Sequence, residues 1–286
     1  MYIHIDEQPI FFDVVGEKFR IDGPRLIEKP TLIALHGGPG FDHQRLRPDL
    51  DQLADIAQVI YLDHRGNGRS LPSDPGTWTL DRWGDDIRVV CDLLGIERPF
   101  VFGNSFGSLV AMSYMVRHPG HAAGIILSSS GAKYDFASIF AAFERRGGPA
   151  ARMAAENFWL RQSPEDLAEY NRVCMPLYGT RPPTDPHQAA RTILNLDVAR
   201  HFLRPGGELQ RMDLRPALAA VECPVLVIAG REDPITPPEF SVAVAALLPA
   251  QPTELPVFDG CGHGPFRDGP DRVWPIVRRW MGALTP

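Results

Sequence analysis

"VFGNSFGSL", residues 101–109, decides the reading of this chain. It sets Gly103 and Gly107 two positions either side of Ser105, where the apolar run Phe100–Phe102 gives way to the helix-period stretch Ser105–Arg117. A chain that leaves a buried strand and turns at once into a helix needs glycine on both flanks of the turn, because a Cβ at either place would crowd it. A serine held at the apex is presented rather than packed. It also stands at a helix N-terminus, where free N–H groups favour developing negative charge.

Working outward, short β-rich runs recur at Ile10–Val15, Thr31–Leu35, Gln58–Leu62, Gly124–Leu127, Val225–Ala229 and Glu254–Phe258. Helix-period stretches lie between or after several of them: Asp81–Leu94, Pro238–Leu248 and Asp271–Met281. Strands alternating with helices predict crossover connections and a mostly parallel α/β sheet flanked by helices. The runs "TLIAL" and "VLVIA" are apolar throughout, as expected of strands covered on both faces. The rhythm breaks between Ala132 and Arg215, where helix-like sequence is interrupted by "GGP", "SPED" and "TRPPTDP". We therefore expect a discontinuous core over 1–131 and 216–286, with 132–215 inserted as a helical cap over the strand ends.

Composition narrows the class. The 286 residues allow a sizeable core, and 44% apolar with 22% charged residues is ordinary for a globular chain. A net charge of −6 without a Lys/Arg run argues against nucleic acid or an anionic membrane as partner. No apolar run approaches the roughly 18 residues of a membrane span, and "MYIHIDEQPIFFDVV" has no basic start ahead of a long apolar stretch. A cytoplasmic protein acting on a small molecule or short peptide is expected. Cys91, Cys174, Cys223 and Cys261 are far apart and form no C-x-x-C pair, so buried thiols are expected rather than a disulfide framework or zinc site.

A nucleophilic serine needs a base, and the base an orienting acid. After the strand Val225–Ala229 the loop "GREDPITP" offers Asp233, with Glu232 next door as the alternative acid. After the last strand "GCGHGPF" offers His263; its rivals His187 and His201 lie in the cap stretch. Both loops leave strand C-ends on the edge that carries Ser105, where open α/β sheets bind ligands. The stretch "LHGGPG" after Thr31–Leu35 lets backbone N–H groups approach an oxyanion. The amides of Gly38 and Phe106 are the expected donors. A phosphate loop is the rival reading of these glycines, but no G-K-[ST] and no G-x-G-x-x-G is present.

"HGGPG", "DHRGNGRS" (63–70), "GNSFGS" (103–108), the "HPG" after the following helix, "GREDPITP" and "GCGHGPF" together resemble the α/β-hydrolase superfamily, and within it the proline iminopeptidases. The resemblance covers residues 10–130 and 215–285. It implies the α/β-hydrolase fold and a cofactor-free serine hydrolase that releases N-terminal proline, with Ser105, Asp233 and His263 as triad and the Gly38 and Phe106 amides as oxyanion hole. An esterase or lactonase on the same machinery is the second expectation, and a non-catalytic ligand-binding relative the third. The family commonly has Gly before and Trp after the nucleophile; here Asn104 and Phe106 stand there. It also holds the substrate amine with acidic cap residues, for which Glu144, Glu156, Glu165, Asp166 and Glu169 are available; each also fits a solvated helix face. Asp63, Arg65 and Arg69 are expected to hold their loop. Phe136, Phe140, Phe158, Trp159, Tyr170 and Tyr178 are candidates to line an apolar pocket, or ordinary core.

Overall fold

A computed structural model describes residues 1–161, 163–183, 185–249 and 253–285. The apolar runs form one nine-stranded sheet. In chain order its strands are β1 (Tyr2–Ile5), β2 (Gln8–Val15), β5 (Thr31–Leu35), β6 (Gln58–Leu62), β7 (Phe100–Asn104), β8 (Gly124–Ser128), β9 (Val225–Gly230), β10 (Thr253–Glu254) and β11 (Val257–Phe258); β3 (Phe19–Asp22) and β4 (Arg25–Glu28) make a separate hairpin. The order is β1-β2-β6-β5-β7-β8-β9-β10, with β11 also on β9. Every pairing from β6 to β11 is parallel, and β1 and β2 join antiparallel.

The all-apolar strands are covered on both faces, as their composition predicts. Ile33 and Leu35 of β5 and Val225 and Val227 of β9 enter one core, while Leu32, Ala34, Leu226 and Ile228 enter the other. The first face is roofed by α1 (Leu80–Leu94) and α2 (Phe106–Arg117). Thr79 caps α1 by accepting the Arg82 N–H at 3.1 Å, and Gly95 ends it in the left-handed conformation.

Between β8 and β9 the described residues form no strand. They carry α3 (Phe136–Leu160), α4 (Pro164–Val173), α5 (Gln188–Arg191), α6 (Leu196–Leu203), α7 (Glu208–Arg211) and α8 (Arg215–Leu218). The Gly148-Pro149 pair breaks α3, since Gly148 is non-helical (φ 76°) and Pro149 has no N–H to donate. Asp166 forms a capping box with Ser163 at the start of α4, which accounts for its carboxylate. After β9 come α9 (Pro238–Leu247), α10 (Pro265–Asp268) and α11 (Pro270–Leu284), with α11 packed on the second face.

Two expectations need correction, and three strands were not expected at all. Ser105 precedes α2 instead of belonging to it, at φ 55° and ψ −119°. The stretch read as one strand, Glu254–Phe258, is two short strands that each pair with β9. The N-terminal strand β1 and the hairpin β3–β4 carried no recognisable pattern, because β3 is exposed along its whole length and β1 buries only Ile5.

Candidate active site

The chain runs from β5 outward to β6, then crosses back over β5 to β7, so the sheet reverses its winding between β5 and β7. A crevice opens beyond the strand ends at such a reversal. His36, Gly37 and Gly38 leave β5 there, and Ser105 leaves β7. The Ser105 turn is held from below: its N–H donates to the Ser128 carbonyl at 2.9 Å, and Ser108 Oγ donates to the Gly103 carbonyl at 2.7 Å. A Cβ on Gly103 would lie 2.4 Å from the Gly107 carbonyl, and one on Gly107 would lie 2.3 Å from the Leu35 carbonyl. Both distances are below any real contact, so the two glycines let α2 press against β5 and β7.

His263 Nε2 lies 2.8 Å from Ser105 Oγ, and His263 Nδ1 lies 2.8 and 3.0 Å from the two Asp233 carboxylate oxygens. Asp233 is in turn fixed by the N–H groups of Ile235 (2.8 Å) and Thr236 (2.9 Å) and by Thr236 Oγ1 (2.7 Å). Ser105, Asp233 and His263 are 9%, 3% and 8% exposed, so the three stand in a largely dry site. Glu232 points elsewhere: its Oε1 accepts the Gly260 N–H. Of the alternative bases, His201 packs edge-on against Trp78, and neither it nor His187 contacts Ser105.

Gly37 backs onto the serine. A Cβ placed on it would be 3.2 Å from Ser105 Cβ. Among the described residues the N–H groups of Gly38 and Phe106 donate to nothing, Phe106 being the first residue of α2. Two unengaged amides, one from each strand-end loop, therefore flank Ser105. The Phe106 side chain is buried against Trp83 and against Phe202 of α6, with ring centroids at 5.7 and 4.9 Å.

The cap residues divide sharply. Glu144 and Glu156 both bind Arg152, each at 2.8 Å, and Glu169 binds Arg172; Glu165 is exposed. None of the four contacts Ser105, Asp233 or His263 among the described residues. Of the aromatics, Tyr178 reaches the site, its ring edge-on to His263 at 5.2 Å and its carbonyl accepting the His263 N–H at 2.6 Å. Its hydroxyl meets that of Tyr170, and burial pushes the acidity of both phenols out of reach, so they stay neutral. Phe158 stacks on Tyr170 and meets Trp159 edge-on, and Phe136 packs against both Trp159 and Phe140.

Sequence reasoning missed Asp268, a buried carboxylate that accepts the N–H groups of Gly262 (2.7 Å), Thr180 (3.1 Å) and Arg181 (3.3 Å). It ties the loop carrying His263 to the segment between β8 and β9 that carries Tyr178. The loop 63–70 is held as expected, by partners inside it and by others outside it. Asp63 accepts from His43 and from the Arg69 N–H, Arg69 reaches Asp42 at 3.0 Å, and Arg65 grips Asp86 of α1 with two bonds of 2.7 and 2.9 Å. Burial opposes a charge on Asp63, yet the hydrogen bond and charge of His43 bring its carboxyl below the usual range. All four cysteines are free and buried, and burial raises the thiol pKa of Cys91 and Cys174 to about 12. No described helix is long and apolar enough to cross a membrane.

Known proteins agree with this architecture. Proline iminopeptidase of Lactobacillus helveticus is 27% identical over 287 aligned positions, covering 92% of this chain and 93% of that protein. The crystal structure of proline iminopeptidase from Mycobacterium smegmatis superposes with a TM-score of 0.79 at 22% identity, over 99% of this chain and 98% of that one. An esterase from Exiguobacterium antarcticum gives 0.70 at 17% identity, over 98% of each chain. The family model described as the alpha/beta hydrolase fold matches residues 30–270, and with that span the chain belongs to the alpha/beta hydrolase family.

Proposed function

We propose that this protein is a serine hydrolase working through an acyl-enzyme, and that its substrates are short peptides with an N-terminal proline. The observation that carries the hydrolase reading is the continuous relay from Ser105 Oγ through His263 to Asp233, at 2.8 and 2.8 Å, in a site shielded from solvent. In this reading Ser105 Oγ attacks the acyl carbon while His263 Nε2 takes its proton. The tetrahedral oxyanion is received by the Gly38 and Phe106 N–H groups. His263 then gives the proton to the departing amine, and a water repeats the sequence to release the acid. Asp233, pinned by Ile235 and Thr236, keeps the imidazole oriented and balances its transient charge.

The peptide substrate is supported by the likeness to proline iminopeptidases in sequence and in fold. Ester or lactone hydrolysis is the second reading, and one observation favours it. The four cap glutamates are ion-paired or exposed, and among the described residues no carboxylate other than Asp233 contacts Ser105 or His263. A charged secondary amine in a dry pocket is costly without a partner.

The test is a comparison of a prolyl arylamide, its N-acetylated form and a short-chain p-nitrophenyl ester, alongside labelling by an active-site phosphonate. Prolyl release that disappears on acetylation supports the peptidase; ester turnover without prolyl release replaces it with the second reading. Ser105→Ala is expected to abolish labelling and to lower kcat by about 10⁴-fold or more. Unchanged labelling in that variant would sink both readings.

A further inference from the structure

Arg45 stands out among the arginines. Every other arginine that is not solvent-exposed donates to a carboxylate or carbonyl among the described residues, as Arg65 does to Asp86 and Arg267 to Asp49. Arg45 is half-buried, and among the described residues its guanidinium donates to no carboxylate or carbonyl. Two carboxylates close to it in sequence are already engaged: Asp42 binds Arg69, and Asp49 binds Arg267. Arg267 adds a second positive charge at this place, and its guanidinium donates to the Arg45 carbonyl.

The position of this cation is bracketed from two sides. It lies over the Phe41 ring, 4.8 Å from its centroid, and Phe41 in turn packs against Gly38, its Cδ2 3.5 Å from where a Cβ would stand. Arg267, beside it, reaches back to Gly264, the residue after His263. Arg45 thus sits at the rim of the site, between the loop expected to hold the oxyanion and, through Arg267, the loop that carries His263. Burial first, and then the Arg267 charge, bring the Arg45 guanidinium down to about 10. An arginine kept charged, desolvated and unmatched is relieved by a bound anion, and its planar fork fits a carboxylate with two parallel bonds.

We propose that Arg45 recognises a carboxylate on the substrate, so that the hydrolase prefers acyl compounds carrying a free carboxylate to their neutral counterparts. This rests on the serine-hydrolase reading but not on the choice between peptide and ester. For a peptide the carboxylate is the free C-terminus of a short chain, on the leaving side of the scissile bond. For an ester it is a carboxylate on the acyl part.

Two substrate pairs that differ only in charge separate these sources: prolyl-glycyl-glycine against its C-terminal amide, and mono-p-nitrophenyl glutarate against its methyl ester. The quantity read is the charged-to-neutral ratio of kcat/KM in each pair, for the wild type, Arg45→Met and Arg45→Lys. In the pair that carries the natural geometry, the wild-type ratio is expected to exceed that of Arg45→Met by about tenfold or more, chiefly through KM, and Arg45→Lys should recover part of the gap. Equal ratios in wild type and Arg45→Met for both pairs would overturn the proposal. So would a wild type that favours the neutral member of both pairs, a result that holds even if the variant does not fold. Failure of the phosphonate to label Ser105 would identify the hydrolase reading as the fault instead, and the carboxylate proposal falls with it.

Discussion

At the scale of single residues, the site depends on which carboxylate meets His263. Asp233 and Glu232 are neighbours, and in sequence either one suits the acid. In the folded chain Asp233 accepts two backbone N–H groups and the Thr236 hydroxyl, and its remaining lone pairs face His263 Nδ1. Glu232 instead braces Gly260. Asp233→Asn should therefore lower kcat/KM by about 10³- to 10⁴-fold by losing the acceptor that fixes the tautomer, while Glu232→Gln should stay within about threefold. Steady-state rates on any substrate that turns over will check the ranking, and the opposite order would reassign the acid. Ser105, Asp233 and His263 were legible because each comes directly after an apolar strand, in loops whose glycines and prolines announce a turn. Tyr178 was named only as one of six aromatics that could line a pocket, and Asp268 and Arg45 were not singled out. Their roles come from contacts between segments some 80 to 90 residues apart, such as Thr180 with Asp268, or from the lack of a partner, and neither has a local signature.

At the scale of elements, the motif's two glycines do different work from ordinary turn glycines. Gly107 lies inside α2 with helical geometry, and what it provides is closeness: its missing Cβ lets the first turn of α2 sit on the end of β5. Gly107→Ala should force the Ser105 turn away from the Gly37–Gly38 loop, because the Leu35 carbonyl belongs to a central strand and cannot give way. We expect a stability loss of about 2–3 kcal/mol by chemical denaturation, together with a fall in kcat. Gly282→Ala is the matched control. It lies in α11 with nothing within 4 Å of its added Cβ, so helix propensity alone should leave it neutral or slightly stabilised. If Gly107→Ala proves as benign as Gly282→Ala, the close approach is not what the motif requires. The strands were readable in advance because a run buried on both faces is apolar at every position. The hairpin β3–β4 was not, since a strand exposed throughout has nothing to alternate against.

At the scale of the whole molecule, the question is whether the helices between β8 and β9 are a loose lid or part of one body. In sequence the loss of strand rhythm led to the expectation of a cap over 132–215, but the short, proline-broken segments gave no hint of how firmly they dock. The folded chain joins both parts through apolar contacts: Phe143, Tyr170, Val198, Phe202 and Leu209 of the insertion lie in the same buried cluster as Ile33, Trp83 and Phe106 of the sheet side. Phe202 is the clearest link, fully buried with its ring 4.9 Å from both Trp83 and Phe106. Polar ties act in parallel, with Asn195 donating to the Gly40 and Gly66 carbonyls and the Glu208 carboxylate accepting the Leu80 N–H at the start of α1. A shared core of this kind unfolds together, so tryptophan fluorescence and far-UV circular dichroism should report one coincident transition. Phe202→Ala should move that whole transition by about 3–5 kcal/mol, the usual effect of emptying a buried phenylalanine site. If instead the variant keeps the wild-type midpoint by circular dichroism while an early, separate change appears in fluorescence, the insertion docks as an independent unit. Substrate entry would then be set by its opening rather than by local motion at the rim near Arg45 and Tyr178.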